Sequence, residues 1–264
     1  MWDDAQVNDV EIGAQDRIQS IERGFAVLLV FDAERRNPSL IEIANATQLS
    51  RPAVRRILLT LQHLGYVRPT GGSHWELTPR VLTIGQHFTG SSAVVAVSEP
   101  HMSRLVEETQ ESASLSAMDG SDVVYLARVP AKRVLNINAT AGTRVSAHAT
   151  SMGRVLLAAQ PAEFVEQYLG DHGLRPLTRH TVTNPDQFRN TLARVRERGW
   201  SLVSEEREIG LIAASAPIRN HAGQVIAALS SSTSTGRMSP ERVERDLVPV
   251  LVRIADEISA ELGA

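Results

Sequence analysis

Two short helical patterns lie two residues apart between Ser39 and Gly65, and this spacing constrains the fold more than any other feature of the chain. Ser39 and Glu42 have the spacing of a capping box, which predicts that a short helix begins there. Ser50 is a good N-cap for the next helix, and Pro52 falls in the first turn, where its missing N–H costs nothing. Two short helices joined by so tight a turn are typical of a helix-turn-helix.

A glycine-rich hairpin is predicted directly after the second of these helices. Residues 66–68 and 74–77 have the composition of two short strands around a loop of glycine, proline, serine and threonine. An amphipathic helix precedes the pair, because Ile18, Ile21, Phe25, Leu28 and Leu29 recur at three- and four-residue steps. Helix, turn, helix and hairpin in this order predict a winged helix-turn-helix over residues 17–77.

The basic charge of the chain is concentrated in this predicted domain. The formal net charge of the chain is -3, but residues 17–90 carry nine arginines against five acidic residues. Salt limits charge interactions to about 8 Å at physiological ionic strength, so a local patch decides binding to a polyanion. Arg51, Arg55 and Arg56 lie on the first two turns of the second helix. The alternative interpretation is an amphipathic helix with a solvated arginine face.

In a winged helix-turn-helix this second helix enters the major groove of DNA. Ser50 and Arg51 lie at the helix N-terminus, where free N–H groups favour phosphate. Arg55 and Arg56 are placed to donate paired hydrogen bonds to guanine, a contact that contributes about 1–3 kcal/mol of discrimination. The full predicted DNA-binding set includes neighbours on the helix and the wing: Ser50, Arg51, Ala53, Val54, Arg55, Arg56, Arg68, Ser73 and His74.

The rest of the chain is predicted to form three further parts. Residues 1–16 carry five acidic and no basic residues and are expected to be a disordered acidic tail. Residues 78–92 are predicted to be a linker helix, and residues 93–264 a second domain. Its strands are predicted at 113–118, 123–128, 134–139, 200–205, 209–218 and 224–233, and its main helices at 150–169, 185–198 and the C-terminal end. This pattern indicates an α+β domain with an antiparallel sheet.

Several classes of function find no support in the sequence. The chain has no cysteine, which excludes disulfides, thiolate metal sites and cysteine nucleophiles. It lacks GxSxG, HExxH and GxxxxGK[ST], and its histidines have no metal-ligand spacing. Glu205 and Glu206 are adjacent, so on a strand they would face opposite ways. We expect no enzyme activity, metal or cofactor, and a soluble cytoplasmic protein, because neither a signal peptide nor a membrane span is present.

Three blocks of the sequence resemble the IclR-type bacterial transcriptional regulators. They read LIEIANATQLSRPAVRRILLTLQHLGYV, YLARVPAKRVLNINATAGTRVSAHATSMGRVLLA and GLIAASAPIRNHAGQVIAALSSS, and the resemblance extends from residue 17 onward. The segments RVPAKR and ATSMGR are most similar to the subgroup that regulates protocatechuate, 4-hydroxybenzoate and β-ketoadipate catabolism. The resemblance implies a ligand-responsive regulator that binds a double-stranded DNA operator as a homodimer or homotetramer.

The resemblance also implies that residues 93–264 form a GAF-like effector-binding domain. Its effector would be a small organic acid such as protocatechuate, 4-hydroxybenzoate or β-ketoadipate. The residues themselves agree in part, since Thr150 opens a helix whose N–H groups suit a carboxylate, and Ser230 and Ser232 share one strand face. The lining set carried over from the family comprises Val134, Ile137, Val145, Ser151, Met152, Val203, Leu211, Ala213, Ser230 and Ser232.

Four arginines are candidates either for the charge partner of the effector or for ordinary surface positions. They are Arg128, Arg133, Arg144 and Arg154. His148, which lies near them in sequence, is expected to be a hydrogen-bonded core residue. The first helix and the linker helix are predicted dimer surfaces, because paired half-sites require two copies. The rival interpretation is a small-molecule sensor that acts through protein partners and uses its helix-turn-helix for protein contact.

Overall fold

The computed structural model of the chain describes residues 16–32, 35–131 and 139–264. The predicted acidic tail, apart from Asp16, and most of the strand predicted at 134–139 lie outside these residues. The chain divides between Phe88 and Thr89 into two compact units, each with its own hydrophobic core. Within the described ranges no helix is long and apolar enough to cross a lipid bilayer.

The first unit is a three-helix domain followed by a two-stranded hairpin. Strands β1 and β2 pair antiparallel, and a 3-10 turn at Pro79–Val81 leads into α4, which continues beyond the boundary between the units. Val27, Ile43, Val54, Leu58 and Trp75 are buried in the core that the helices and hairpin share. The elements are α1 (Gln19–Leu28), α2 (Leu40–Thr47), α3 (Arg51–His63), β1 (Val67–Gly71), β2 (His74–Leu77) and α4 (Leu82–Ser91).

The capping interactions predicted for α2 and α3 are confirmed. The Ser39 Oγ accepts a hydrogen bond from the Glu42 N–H at 3.3 Å, and the Ser39 N–H donates to Glu42 Oε2 at 2.7 Å. That bond from the Ser39 backbone lowers the pKa of Glu42, because it stabilises the ionised carboxylate. Ser50 caps α3 by accepting from the Ala53 N–H at 3.4 Å. Each cap therefore satisfies part of the free N–H groups at its helix start.

The apolar stripe predicted on α1 is present, but most of it faces outward. Ile18, Ile21, Phe25 and Leu29 are exposed, with Leu29 at 77%. Val27 anchors the helix in the core instead. A periodic apolar pattern predicts a helix with one apolar face. The pattern does not show whether that face packs against other residues of the same chain.

The second unit is an antiparallel sheet flanked by helices on both faces. The six strands lie in the order β5-β4-β3-β8-β7-β6, and every neighbouring pair is antiparallel. A π-helical turn, Val243–Leu247, joins the last two helices. The elements are α5 (Ala93–Thr109), β3 (Ser112–Asp119), β4 (Asp122–Val129), β5 (Arg144–Ser146), α6 (Ser151–Ala158), α7 (Ala162–Asp171), α8 (Pro185–Arg198), β6 (Ser201–Ser204), β7 (Leu211–Arg219), β8 (Val225–Ser234), α9 (Pro240–Arg242) and α10 (Val248–Glu261).

The structure differs from the number of predicted elements most clearly in two places. The single helix expected at 150–169 is two helices, α6 and α7, because Pro161 lacks an N–H and disfavours a helical residue before it. The short strand β5 was not predicted; its three residues are too few to show a period.

The two faces of the sheet differ in chemistry, and this difference positions the site. On one face, aliphatic side chains such as Leu115, Ile212 and Leu229 pack with those of α5 and α10. The other face carries small hydroxyl side chains and is covered by α6. Cross-strand pairing aligns four serines along that face, one from each of four neighbouring strands: Ser201, Ser215, Ser230 and Ser114. The hydroxyl face leaves room for a cavity where the aliphatic face is filled.

Candidate functional site

The first candidate site is the arginine-bearing face of α3. Arg51, Arg55 and Arg56 are all exposed, as predicted. The ion pairs observed within the described part of this unit involve other arginines, so these three guanidinium groups face solvent. The first turn of α3 contains no acidic residue. A cation at this positive end of a helix dipole is unfavourable, typically by about 0.3–1 kcal/mol. The arrangement becomes favourable once a polyanion contacts the helix start.

The wing, which is the hairpin of β1 and β2, is hydrogen-bonded to the start of α2. Leu40 N–H donates to the Ser73 carbonyl at 2.9 Å, and Ser39 forms an isolated bridge with His74. Both Ser73 and His74 are exposed at the surface of the hairpin. Arg68 is exposed too, but it forms an ion pair with Glu76 on the neighbouring strand. A phosphate contact by Arg68 would therefore replace an existing ion pair.

One member of the predicted DNA-binding set is wrong. The Val54 side chain is fully buried in the core of the first unit and has no surface to offer DNA. It lies on the inner stripe of α3, one residue from Arg55 but on the opposite side of the helix, because successive residues on a helix are about 100° apart. Ala53 is half-buried at the edge of the exposed face.

The second candidate site is a cavity between the hydroxyl face of the sheet and the start of α6. The lining atoms surround about 450 Å³ of space, a figure that includes open solvent. Seven residues of the predicted effector-binding set line it: Ser151, Met152, Val203, Leu211, Ala213, Ser230 and Ser232.

One described residue of the predicted effector-binding set, Val145, does not line this cavity. Val145 is buried in the core formed with α6, α7 and α8, so its side chain contributes packing instead. Val145 lies on β5, a strand that the sequence did not predict, and the effector contact expected of it stays a prediction. Val134 and Ile137 lie outside the described residues.

Hydroxyl groups hold the inner wall of the cavity together. Thr150 caps α6 by accepting from the Gly153 N–H at 3.2 Å, which confirms the predicted helix start. Ser151 Oγ lies 2.7 Å from Ser215 Oγ and so joins the helix to the sheet. Ser230 Oγ donates to the Ser114 carbonyl at 3.3 Å. The start of α6 is thus held against the sheet.

The cavity includes six residues that were not in the predicted set. They are Ser114, Tyr125, Ala149, Thr150, Glu206 and Arg207. Ser114 and Tyr125 come from β3 and β4, which the sequence showed as strands without revealing their register. Glu206 and Arg207 follow β6 in a turn where Glu205 has a φ of 59°, so the strand predicted to reach 205 ends one residue earlier. Burial raises the pKa of the Tyr125 phenol, which therefore stays neutral and can donate a hydrogen bond.

The candidate arginines occupy different environments. Arg154 is 3% exposed and pairs with Glu206, with its Nη2 2.6 Å from Glu206 Oε2. Arg144 is an exposed surface arginine that pairs with Asp119 and with Asp122. Arg128 is half-buried beside Ser114, and Arg133 lies outside the described residues. Across the ranges that the structure covers, no group of three or more His, Cys, Asp or Glu side chains is arranged to hold a metal ion.

His148 is a hydrogen-bonded core residue, as predicted. It is 3% exposed, and its Nε2 lies 2.9 Å from the Arg175 carbonyl, in the segment between α7 and α8. Its Nδ1 lies 3.4 Å from the Tyr168 hydroxyl. Burial lowers the pKa of His148 from its ordinary value of 6.5, the Arg154 charge adding to this effect. The neutral ring with hydrogen on Nε2 fits these contacts.

The lowered pKa of His148 predicts a loss of stability in mild acid. The unfolded chain binds a proton at this ring more readily than the folded chain, so stability falls as the pH drops below about 6.5. The slope from one such group is at most about 1.4 kcal/mol per pH unit. We expect His148→Gln, which keeps a donor for the Arg175 carbonyl, to reduce the decline between about pH 7.5 and pH 5.5. Urea unfolding at several pH values measures the free energy of unfolding of both proteins. If this free energy fell equally with pH in the unmodified protein and in His148→Gln, His148 would not be the group responsible.

Comparison with known proteins places both units in one family. Residues 20–71 match the IclR helix-turn-helix domain, and residues 86–260 match the model described as Bacterial transcriptional regulator IclR C-terminal. The chain is 34% identical over 251 residues to the Pca regulon regulatory protein of Pseudomonas putida, covering 95% of this chain and 86% of that protein.

Two solved structures extend the comparison to the fold. A transcriptional regulator from Rhodococcus sp. RHA1 has a TM-score of 0.83 and 41% identity, and the match covers 93% of this chain and 98% of that one. A double mutant of the inducer-binding domain of the PobR transcription factor from Acinetobacter, in complex with 3-hydroxybenzoic acid, has a TM-score of 0.59 and 33% identity. That match covers 62% of this chain and 96% of the other. The expected winged helix-turn-helix and antiparallel α+β domain are confirmed, and the chain belongs to the IclR family of bacterial transcriptional regulators.

Proposed function

We propose that this regulator binds an operator through α3 and the wing, and that a small organic acid in the cavity controls the genes of aromatic-acid catabolism through the β-ketoadipate pathway. The observation that carries the DNA-binding half is the exposed arginine cluster at the start of α3, which has no acidic neighbour in its first turn. Guanidinium groups and free helix N–H groups together favour phosphate and guanine.

The effector half of the proposal is supported by the cavity and by two relatives. The cavity combines apolar side chains with hydroxyl groups, which suits a ring or short chain that carries polar substituents. One relative is named for the Pca regulon, and the PobR inducer-binding domain holds 3-hydroxybenzoic acid. Protocatechuate, 4-hydroxybenzoate and β-ketoadipate are the effectors we propose.

A homodimer or homotetramer follows from the geometry of DNA recognition. One winged domain contacts too few base pairs to select a genomic site, and two copies on paired half-sites solve this. The exposed apolar residues of the first unit support such pairing, because solvated apolar groups of this size favour a partner surface. They lie on α1 and α4: Ile21, Phe25, Leu29, Leu82, Ile84 and Phe88.

Substitution of the α3 arginines tests the DNA-binding half. We expect Arg55→Ala or Arg56→Ala to weaken binding to the operator by about 1–3 kcal/mol, because each removes the paired donors that bind one guanine. Gln62→Ala, at the other end of the same exposed helix face, is the matched control and is expected to bind normally. Fluorescence anisotropy with the upstream intergenic fragment measures both. Unchanged specific binding in both arginine variants would remove α3 as the reading helix.

A salt titration separates the proposal from the rival function, a sensor that acts through protein partners. Each phosphate contact released by salt contributes a slope of about -0.9 to log K against log salt concentration. A DNA-binding regulator therefore weakens steeply as salt rises, and a protein-contacting sensor shows no specific DNA binding to weaken. For the effector, we expect at least one of the three acids to raise the melting temperature. No shift with any of them would reject the proposed effector class.

A further inference from the structure

Two arginines at the cavity have no carboxylate partner in the part of the chain that the structure describes. Arg207 lines the cavity directly, and Arg128 contacts Ser114, which also lines it. Both side chains are half-buried. The buried arginine of this unit, Arg154, is neutralised by Glu206. An enclosed cation without a counterion is costly, so this end of the cavity favours an incoming anion.

Strand pairing fixes the position of Arg128. It lies on β4 directly opposite Ser114 of β3, at the end of the row of four serines that crosses the sheet. Its Nη1 lies 3.3 Å from Ser114 Oγ, a contact that leaves the other N–H groups of the guanidinium free of protein acceptors among the described residues. Burial lowers the pKa of Arg128, because water no longer fully solvates its charge.

Tyr125 is influenced by the charges of both guanidinium groups. It is 4% exposed and lines the cavity with Ser114 and Arg207. Burial raises the pKa of the phenol, and the nearby positive charges of Arg207 and Arg128 oppose that rise. Tyr125 and Arg207 line the cavity themselves, and Arg128 contacts Ser114, which lines it too. Two charged donors and one neutral donor therefore lie in or next to the cavity wall.

We infer that Arg128, Arg207 and Tyr125 form the binding site for the carboxylate of the effector. This inference rests on the proposed function and adds which end of the cavity holds the charge. Arginine binds carboxylate through paired N–H groups, and such charge-assisted bonds are roughly twice as strong as neutral ones. Met152, Val203 and Leu211 are left to contact the carbon skeleton. The cavity selects carboxylic acids over neutral molecules of the same shape.

Matched ligands test the charge requirement. Calorimetry would compare 4-hydroxybenzoate and protocatechuate with their carboxamides, which keep the ring and the size but lose the charge, and would include β-ketoadipate. In the unmodified protein we expect at least one acid to bind and its carboxamide to bind at least about tenfold more weakly. Equal affinity for acid and amide would overturn the inference, since no charge would then be recognised.

Matched variants test the residues. We expect Arg128→Gln and Arg207→Gln each to weaken acid binding about 10- to 100-fold, and Tyr125→Phe about tenfold, with little effect on the carboxamide. Lysine at either arginine position keeps the charge without the paired donors and should give intermediate affinity. Arg144→Gln is the control, because Arg144 is exposed on β5 and pairs with Asp119 at the end of β3. Thermal unfolding checks that each variant is folded.

The outcomes separate this inference from the function on which it rests. If the unmodified protein binds an acid and both glutamine variants bind it equally well, the carboxylate lies elsewhere, such as at the start of α6, and only the inference fails. If the unmodified protein binds none of the three acids, the proposed effector class fails and the inference fails with it. Loss of acid binding in the arginine variants, with normal binding in Arg144→Gln, supports both.

Discussion

Replacement of Gly153 by alanine is expected to destabilise the second unit by about 3 kcal/mol, the upper end of the usual cost of overpacking. A Cβ at this position would lie 2.1 Å from the carbonyl oxygen of Ala147 and 2.4 Å from its Cα. Those atoms belong to backbone, which cannot rotate away as a side chain can. The first turn of α6 is also held by Thr150 and Ser151, so the helix has little freedom to move outward.

Gly170 provides the matched control for this prediction. It lies within the adjacent helix α7, and a Cβ there would meet nothing within 4 Å. Alanine is a better helix former than glycine by about 1 kcal/mol, so Gly170→Ala should be neutral or stabilising. Glycine-to-alanine substitution is thus expected to lower the free energy of unfolding in α6 and to leave it unchanged or raise it in α7. Urea unfolding followed by circular dichroism measures both, and equal stability of the two variants would show that the chain before α6 can move aside.

Local chemistry explains why the first unit was predictable from sequence. A capping box is encoded by two residues three positions apart, and Ser39 with Glu42 forms it as expected. Ser50 and Pro52 similarly determine where α3 begins. Each signal depends on neighbouring residues alone, so no knowledge of distant packing was needed. The predicted DNA-binding set took adjacent residues of α3 together, although successive residues on a helix face different directions. The prediction for Val54 is wrong for this reason, since its side chain faces the core.

The charged end of the cavity was not predictable in the same way. Arg128 approaches Ser114 because β3 and β4 pair in a particular register. The sequence of either strand alone does not determine that register. Arg207 lies in the turn after β6, and the sequence predicted that strand to run to residue 205, one residue further than it does. Of the four candidate arginines, sequence reasoning could not tell the enclosed Arg128 from the solvated Arg144. Burial and ion pairing, which only the fold defines, separate them.

The buried ion pair of Arg154 and Glu206 connects α6 to the turn after β6. Arg154 Nη2 lies 2.6 Å from Glu206 Oε2, and the same oxygen accepts from the Val182 N–H at 2.9 Å. Arg154 Nε also donates to the His148 carbonyl at 3.0 Å. The two side chains are 3% and 7% exposed. A single ion pair therefore joins the cavity wall to the segment before α8.

Arg154→Met is expected to destabilise the protein by about 3–5 kcal/mol, because it leaves the Glu206 carboxylate buried without a cation. Adding Glu206→Gln should recover a large part of that loss, since the amide oxygen still accepts from Val182 and no buried charge remains. The exposed pair of Arg189 and Glu166 has the same 2.6 Å separation and serves as the control. We expect Arg189→Met to leave stability unchanged, because water solvates both charges. Urea unfolding of the four proteins measures this contrast. If the double variant were no more stable than Arg154→Met, the loss would come from the missing arginine packing rather than from the unpaired charge.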